Sequence, residues 1–413
     1  MQTTRPNEFI ALVAMLTALV AMSIDTMLPA VGTIATELGA ANPNDRQFIV
    51  LAFFAGLMIG TLIFGPVSDS VGRKPTIYVG LVIFIAGAVL CMVSTSFPML
   101  IAGRLLQGIG AASPRVVSMA MVRDGAKGAE MARIMSFVMS VFMLVPIFAP
   151  SIGQAVLYIA SWRFIFAGFI VAAIIVAIWL ALRQPETLTD ENRREFSASK
   201  LLASAGEVFK SPVAFGYTLA VGFIFAAFTT FLGTSQQIFA EQYKQGDGFA
   251  LWFGGLACAI AISMILNGIY VKKLGMRKLS KWALRGFICV WFVMLVMCFI
   301  FNGQPPLLVV GGLFFISWFC SGMIFGNYNA MALEPMGHIA GMAAAISGAV
   351  STFIAVVLGG IAGRQYDGTM YPITIAFVLF GLMALIFSSW AERGRKKQPQ
   401  DRHSRESGNL AEL

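Results

Sequence analysis

Twelve windows of roughly twenty residues, apolar and almost free of charge, recur along this chain. They fall at 9–31, 47–67, 76–96, 98–121, 134–158, 161–182, 213–240, 249–271, 284–302, 306–332, 339–363 and 371–391. About twenty apolar residues is what an α-helix needs to cross the hydrocarbon of a bilayer. A backbone in lipid must satisfy its own hydrogen bonds, and a helix does so within one segment. The β-barrel alternative requires alternation over ~10-residue strands, which the windows lack. Several windows approach or pass about 25 residues, implying tilt or extension into the interface. Composition agrees: 12% of residues are charged, against about 25% in a soluble domain. The expected fold class is all-α and integral to the lipid bilayer, with twelve transmembrane helices.

Orientation follows from Lys and Arg, which favour the cytoplasmic side of a membrane. With the N-terminus inside, the inner segments hold 23 of the 29, from Arg5 to the tail residues Arg402 and Arg405. The outer segments hold Arg46, Arg163, Lys244 and Arg364, and two more, Arg104 and Arg115, lie within span 4. This predicts a multi-pass protein with both termini cytoplasmic. It accounts for the net charge of +9 through membrane anchoring and leaves no call for a nucleic-acid partner. The first window is too long for a cleavable signal, and no small-residue cleavage pattern ends it. The five cysteines stand singly in apolar spans, without metal-ligand or redox spacing.

A polar segment, 184–212, separates six spans from six. The expected organisation is an N-terminal six-helix bundle over 1–183, a cytoplasmic linker, a C-terminal six-helix bundle over 213–391, and a disordered tail over 392–413. Both halves carry a charged hairpin between their second and third spans: GPVSDSVGRKPT at 65–76 and NGIYVKKLGMRKLS at 267–280. Aligning Gly72 with Gly275 sets Asp69 opposite Lys272 and Lys74 opposite Arg277. The second copy keeps the glycine and the basic residues and lacks the acid. Such a pseudo-repeat, with its site between the halves near mid-membrane, is a recurring transporter plan.

Of the 20 acidic residues, Asp25 alone falls well inside a span. A charge there costs roughly 2.5–3.5 kcal/mol on insertion scales, so it invites a functional explanation: a titrating or substrate-binding acid, or else an acid paired for packing. In span 4, Arg104, Gln107, Gly108, Ala111, Ala112 and Arg115 share one helical face. Arg104 lies about 9 Å outward of its span's midpoint and Asp25 about 7–8 Å outward of its own. The two could pair if spans 1 and 4 touch. Arg115, roughly 16 Å further along the face, suits an anionic or polar substrate, or helix carbonyls.

The 65–76 hairpin is a candidate latch. Gly65 and Gly72 permit a tight turn, Asp69 ends span 2, and Asp124 at the end of span 4 is the natural partner for Arg73. In span 5, Pro146 and Pro150 each remove a backbone donor and Gly153 allows close packing. That suits a hinge or a seal between the halves.

These residues resemble the major facilitator superfamily, specifically its twelve-span drug:proton antiporters of the Bcr/CflA type, over about 9–391. GPVSDSVGRKP is similar to the family's cytoplasmic-loop motif, RLLQGIGAA to the span 4 motif linked to proton coupling, and SIDTMLPA to the span 1 motif of this branch. VPIFAPSIGQ resembles the span 5 antiporter motif, with Ala149 and Gln154 where glycines are usual. The resemblance implies a two-bundle major facilitator fold and alternating access. In it, Asp25 is the proton or cation-substrate acid and Arg104 tunes it. Asp69, Arg73 and Asp124 hold the outward-open state, and Pro150 and Gly153 form part of the inter-half seal. The implied cargo is a small lipophilic drug moved against protons across a bacterial inner membrane. Tyr217, Phe225, Phe228, Trp318, Phe325 and Tyr328 are candidates for the aromatic cavity wall, with Asn327 and Asn329 as polar additions.

A metabolite or siderophore exporter and a proton symporter remain as alternatives. An enzyme or sensor would need a catalytic constellation, yet the only histidines are His338 and His403, and no nucleotide-binding Gly-Lys-Ser/Thr loop occurs. The expectation is a monomer with no enzymatic activity, no metal and no cofactor, driven by the proton gradient.

Overall fold

A computed structural model describes residues 6–193 and 197–397, and every regular element among them is helical. Arg5, Arg194, Arg402, Arg405 and the tail beyond Lys397 lie outside the described residues. The first half comprises α1 (Pro6–Asp25), α2 (Val31–Glu37), α3 (Phe48–Val71), α4 (Arg73–Met92), α5 (Phe97–Gly125), α6 (Gly128–Ile159) and α7 (Arg163–Arg183). After α8 (Ala198–Lys210) the second half follows with α9 (Pro212–Gln236), α10 (Phe249–Leu274), α11 (Met276–Ile300), α12 (Leu307–Leu333), α13 (Ala340–Arg364) and α14 (Tyr371–Lys397).

Among the described residues, eleven helical stretches are long and apolar enough to cross a membrane. One of them, Leu307–Arg364, is 58 residues long and is broken where Met336 leaves helical dihedrals (φ −109°, ψ 23°). It supplies two spans, which restores the expected twelve. Large aliphatic side chains stand on the outer surface: Ile159 is 87% exposed and Leu251 79%. In water such a surface would aggregate; in lipid it is the solvated side.

Two boundaries differ from the sequence reading, and the linker carries a helix of its own. Span 1 runs from Asn7 to Glu37 but breaks after Asp25 into a turn and a short 3₁₀ segment, Leu28–Ala30. Pro29 has no N–H to give and disfavours helix in the residue before it. The linker is partly ordered: Ser197 caps α8 through the Lys200 N–H at 3.3 Å, and Val208 packs with Ala214, Met336, Ala343 and Ile346. Finally, α14 continues to Lys397 rather than ending at 391. Its last turns are held by Glu392, which accepts hydrogen bonds from Tyr217 (2.6 Å), Arg277 (2.9 Å) and Arg395 (3.1 Å).

Helices α1–α7 pack chiefly on one another, as do α9–α14. The halves meet where α6 touches α10 and where α3 touches α13 and α9. The end of the bundle carrying Arg73 and Arg277 is called the basic face below, and the end carrying Arg46 the opposite face.

Candidate functional site

Asp25 is the last residue of α1, where the helix breaks. It is 5% exposed and has no hydrogen bond or ion pair among the described residues. The break is pinned from the side by α6: a Cβ on Gly153 would lie 1.8 Å from the Thr26 carbonyl oxygen, so only glycine fits. Gly153 therefore packs on its own half. The same helix crosses to the other half one turn earlier and more, where the Ile147 carbonyl meets Gly254 of α10, 2.8 Å from a Cβ built there. Pro146 and Pro150 sit within α6 on either side of Ile147. The Pro/Gly stretch is thus a two-sided spacer, touching the Asp25 break and the partner bundle.

Arg104 is completely buried and does not pair with Asp25. Its Nε donates to the Ile49 carbonyl (3.0 Å), Nη2 to the Ser23 carbonyl (3.0 Å) and Nη1 to Gln107 Oε1 (2.6 Å). The Phe53 ring centroid lies 4.6 Å from the guanidinium carbon. The reason is the helix break. Carbonyls in the last turn of a helix lack intrahelical donors, and a cation is favoured at that end. Arg104 caps α1 and leaves the carboxylate beside it without a counter-ion. Gln107, tied to Arg104 and 0% exposed, faces no cavity.

The aromatic candidates form two groups by burial, which touch where Phe228 meets Trp318 edge-on at 5.5 Å. Phe225, Phe228 and Phe325 are half-buried and contiguous, with ring centroids 6.1 Å (Phe225–Phe228) and 5.9 Å (Phe225–Phe325) apart. Phe54 reaches Phe225 across the halves at 5.4 Å. Trp318, Tyr217 and Tyr328 instead belong to the packed interior of the second half. Trp318 is 1% exposed among Phe231, Phe314 and Phe377, and Tyr217 packs with its ring tilted against Tyr328 at 5.0 Å while binding Glu392. Their bulk fits a core better than a wall. Asn327 exchanges hydrogen bonds with Asn267 (2.8 and 3.2 Å), and Asn329 caps the Phe325 carbonyl (2.8 Å).

On the basic face Arg73 bridges Asp69 (2.5 Å) and Asp124 (2.8 Å) and donates to Ser68 (2.8 Å). All four belong to the first half. Gly72 turns the chain at φ 117°, where L side chains are strained, and Gly65 has ample room, its nearest neighbour being Val116 at 3.8 Å. Sequence reading missed Glu186, which accepts from the Arg73 and Lys74 N–H groups, both at 3.0 Å. It thereby caps α4. Burial would raise the Glu186 carboxyl, but backbone N–H bonds from Leu188, Lys74, Arg73 and Thr187 outweigh it and hold the group below the usual glutamate range. Glu186→Ala is expected to lower stability by about 1–2 kcal/mol at pH 7, the size of a lost helix cap. Because the folded-state value is depressed, that stability is present above the ordinary glutamate range. It fades as pH falls through the folded value. Thermal unfolding of both proteins from pH 7 downward should show the gap closing.

The second half repeats the arrangement with different residues. Gly275 turns at φ 77°, and Arg277 pairs with Glu334 and, at 2.9 Å, with Glu392. The acid that the second hairpin lacks is supplied from the ends of α12 and α14.

The opposite face holds the residues least visible in the sequence. Arg46, 7% exposed, pairs with Glu241 and donates to Gln236 (2.7 Å) and the Pro43 carbonyl (2.7 Å). Asn44 donates to the carbonyls of Arg364 (3.0 Å) and Tyr366 (2.6 Å) and accepts from Gln237 (2.7 Å). Gln47 reaches the Gly360 carbonyl (3.1 Å), and Tyr158 donates to Asp247 (2.9 Å). All of these except the Pro43 contact join the two halves. Among the described residues, no hydrogen bond or ion pair joins 6–183 to 213–397 on the basic face. The molecule is sealed at one end. The single outward signal in the sequence was that Arg46 follows Asp45 in a short loop. Among the described residues no three His, Cys, Asp or Glu gather as a metal site would.

Residues 13–360 match the family model described as Major Facilitator Superfamily. The chain is 30% identical over 380 residues to an uncharacterized MFS-type transporter, YdgK, of Bacillus subtilis, covering 91% of this chain and 93% of the relative. It is 27% identical over 383 residues to a bicyclomycin resistance protein homolog of Haemophilus influenzae, covering 92% and 95%. Among solved structures it is similar to a partially occluded inward open conformation of the xylose transporter XylE from E. coli, with a TM-score of 0.69 at 14% identity, covering 96% and 98%.

Proposed function

The chain belongs to the major facilitator superfamily, and on that premise we propose that it exports small lipophilic molecules in exchange for protons by alternating access. The basic face is placed in the cytoplasm of a bacterial inner membrane, with both termini, because Lys and Arg collect there. The sealed opposite face then makes this the inward-facing conformation. A resistance protein homolog of similar length supports the lipophilic cargo. One chain contributes both walls of the path, so a monomer suffices, and the proton gradient is the energy source.

The observation that carries this reading is Asp25: buried, unpaired and set at a helix break that α6 presses from the side. A buried charge without a partner is costly, which is the condition for a group that takes and gives a proton during the cycle. Loaded with cargo and ionised, Asp25 faces the cytoplasm. The halves rock, the seal at Arg46 parts and the cavity opens outward. A proton from outside neutralises Asp25 and the cargo leaves. One charge moving through 100 mV is worth about 2.3 kcal/mol, which drives the return. Arg73, Asp69 and Asp124 keep the first half's basic-face hairpin rigid through the movement, and they hold the basic face shut when the cavity opens outward.

Expression in a pump-deficient host tests the reading. Cells carrying this chain should retain less of a lipophilic dye than cells with an empty vector, and a protonophore should erase the difference. Equal retention in both cells across a broad compound panel would remove the export reading.

A further inference from the structure

We infer that the cargo carries an anionic group and that Arg115 receives it; this rests on the export reading and narrows its substrate class. Three charges stand inside the spans. Arg104 is consumed by two carbonyls and Gln107, and Asp25 is the acid assigned to the proton. The Arg115 guanidinium has no hydrogen-bond or ion-pair partner among the described residues. It lies ten residues before the end of α5 at Gly125, about 15 Å along the helix. It is exposed on a helix face whose neighbours one turn away, Ala111, Ala112 and Ser118, are all buried in protein. A side chain reached by water yet surrounded by protein, at that depth, belongs to a cavity wall, since a charge does not face lipid there.

The acids on the neighbouring elements are committed elsewhere. Glu8 of α1 holds Arg183 (3.0 Å), Asp69 of α3 and Asp124 of α5 hold Arg73, and Glu130, exposed in the first turn of α6, makes no pair with Arg115. An unpaired guanidinium in a cavity open to the basic face is a forked donor for a carboxylate, sulfonate or phosphate. With Asp25 ionised the three interior charges still sum to a positive value, which favours an anion. The edge-to-face set Phe54, Phe225 and Phe325 supplies an apolar surface for the rest of the molecule. Arg115 is about 16 Å from Arg104 along α5, and Arg104 is the residue bonded to the end of α1 that carries Asp25. Across water its charge acts weakly there, so it selects cargo and leaves the proton step to Asp25.

The probes are N-dansylglycine and its neutral methyl ester, titrated by fluorescence into the purified full chain in lipid nanodiscs and offered to everted vesicles under a pH gradient. Wild type should bind the acid at least tenfold more tightly than Arg115→Gln does. Arg115→Lys should retain most of that affinity, and all three should bind the ester alike. Equal acid binding by wild type and Arg115→Gln overturns the proposal, as does wild type binding the acid no better than the ester. If acid binding depends on Arg115 but vesicles accumulate neither probe, the export reading falls and the anion site stands.

Discussion

Asp25→Asn is expected to abolish proton-driven export, lowering dye accumulation in everted vesicles at least tenfold, while the protein stays folded and still exchanges cargo down its gradient. The expectation rests on what Asp25 does not do. It has no ion pair and no hydrogen bond among the described residues, so replacing one carboxylate oxygen by an amide breaks no contact. An ionised acid inside a span costs roughly 2.5–3.5 kcal/mol and a neutral amide less. The unfolding temperature of the variant should therefore match or exceed that of the wild type. A residue kept for packing would behave in the opposite way: its loss would lower stability and slow both modes of transport together. Counterflow without a pH gradient separates the two, because equilibrium exchange needs the rocking of the halves but no net proton movement. Wild-type levels of gradient-driven accumulation by Asp25→Asn would remove the acid from the coupling step. Loss of counterflow together with stability would reassign it to structure.

How far the site could be read from the sequence depended on distance along the chain. The spans are local, so apolar runs found all twelve, whereas the Arg73–Asp69 ion pair inside the 65–76 hairpin was not read. Asp124 was reached because it ends a span on the same side. The depth match brought Arg104 to the end of α1, where it reaches the Ser23 carbonyl two residues before Asp25, but depth alone does not say which acceptor wins. The break after Asp25 frees carbonyls that Arg104 takes instead. Glu334 and Glu392 were invisible as partners of Arg277 because they lie at the ends of two other helices. Trp318 shows the limit of aromatic content as a guide: nothing in its spacing distinguishes a wall residue from one packed among Phe231, Phe314 and Phe377. The polar seal around Arg46 is the extreme case. Its partners stand some 190 to 320 residues away, and only the fold brings them together.

That seal yields the second large effect. Arg46→Ala should tip the resting molecule from the sealed conformation towards one open at the opposite face. Arg46 is nearly buried while Glu241 is half-exposed, so the ion pair alone is screened and contributes modestly. The loss lies mainly in what the side chain leaves behind across the halves: Gln236, part-buried, loses its donor, and Glu241 loses its ion pair. Gly32 and Gly233 bring the backbone so close here that a Cβ would stand 3.1 Å from Arg46 and 2.8 Å from Gln47, which leaves little room for water to replace it. Stranding such groups costs about 2–3 kcal/mol, or roughly thirty- to a hundredfold in the ratio of the two conformations. Two states of one transporter must lie within a few kcal/mol of each other to interconvert, so a shift of this size exchanges their order. Leu51→Cys, next to Gly360 at the α3–α13 contact, reports it. In a background with the native cysteines replaced, a membrane-impermeant maleimide added from the opposite face should label Leu51→Cys slowly alone and at least tenfold faster with Arg46→Ala. Arg46→Lys keeps the charge but not the planar fork and should fall between. Unchanged labelling in Arg46→Ala would mean that Asn44 and Gln47 hold the halves together without it, and that the arginine is an ornament of the seal rather than its bolt.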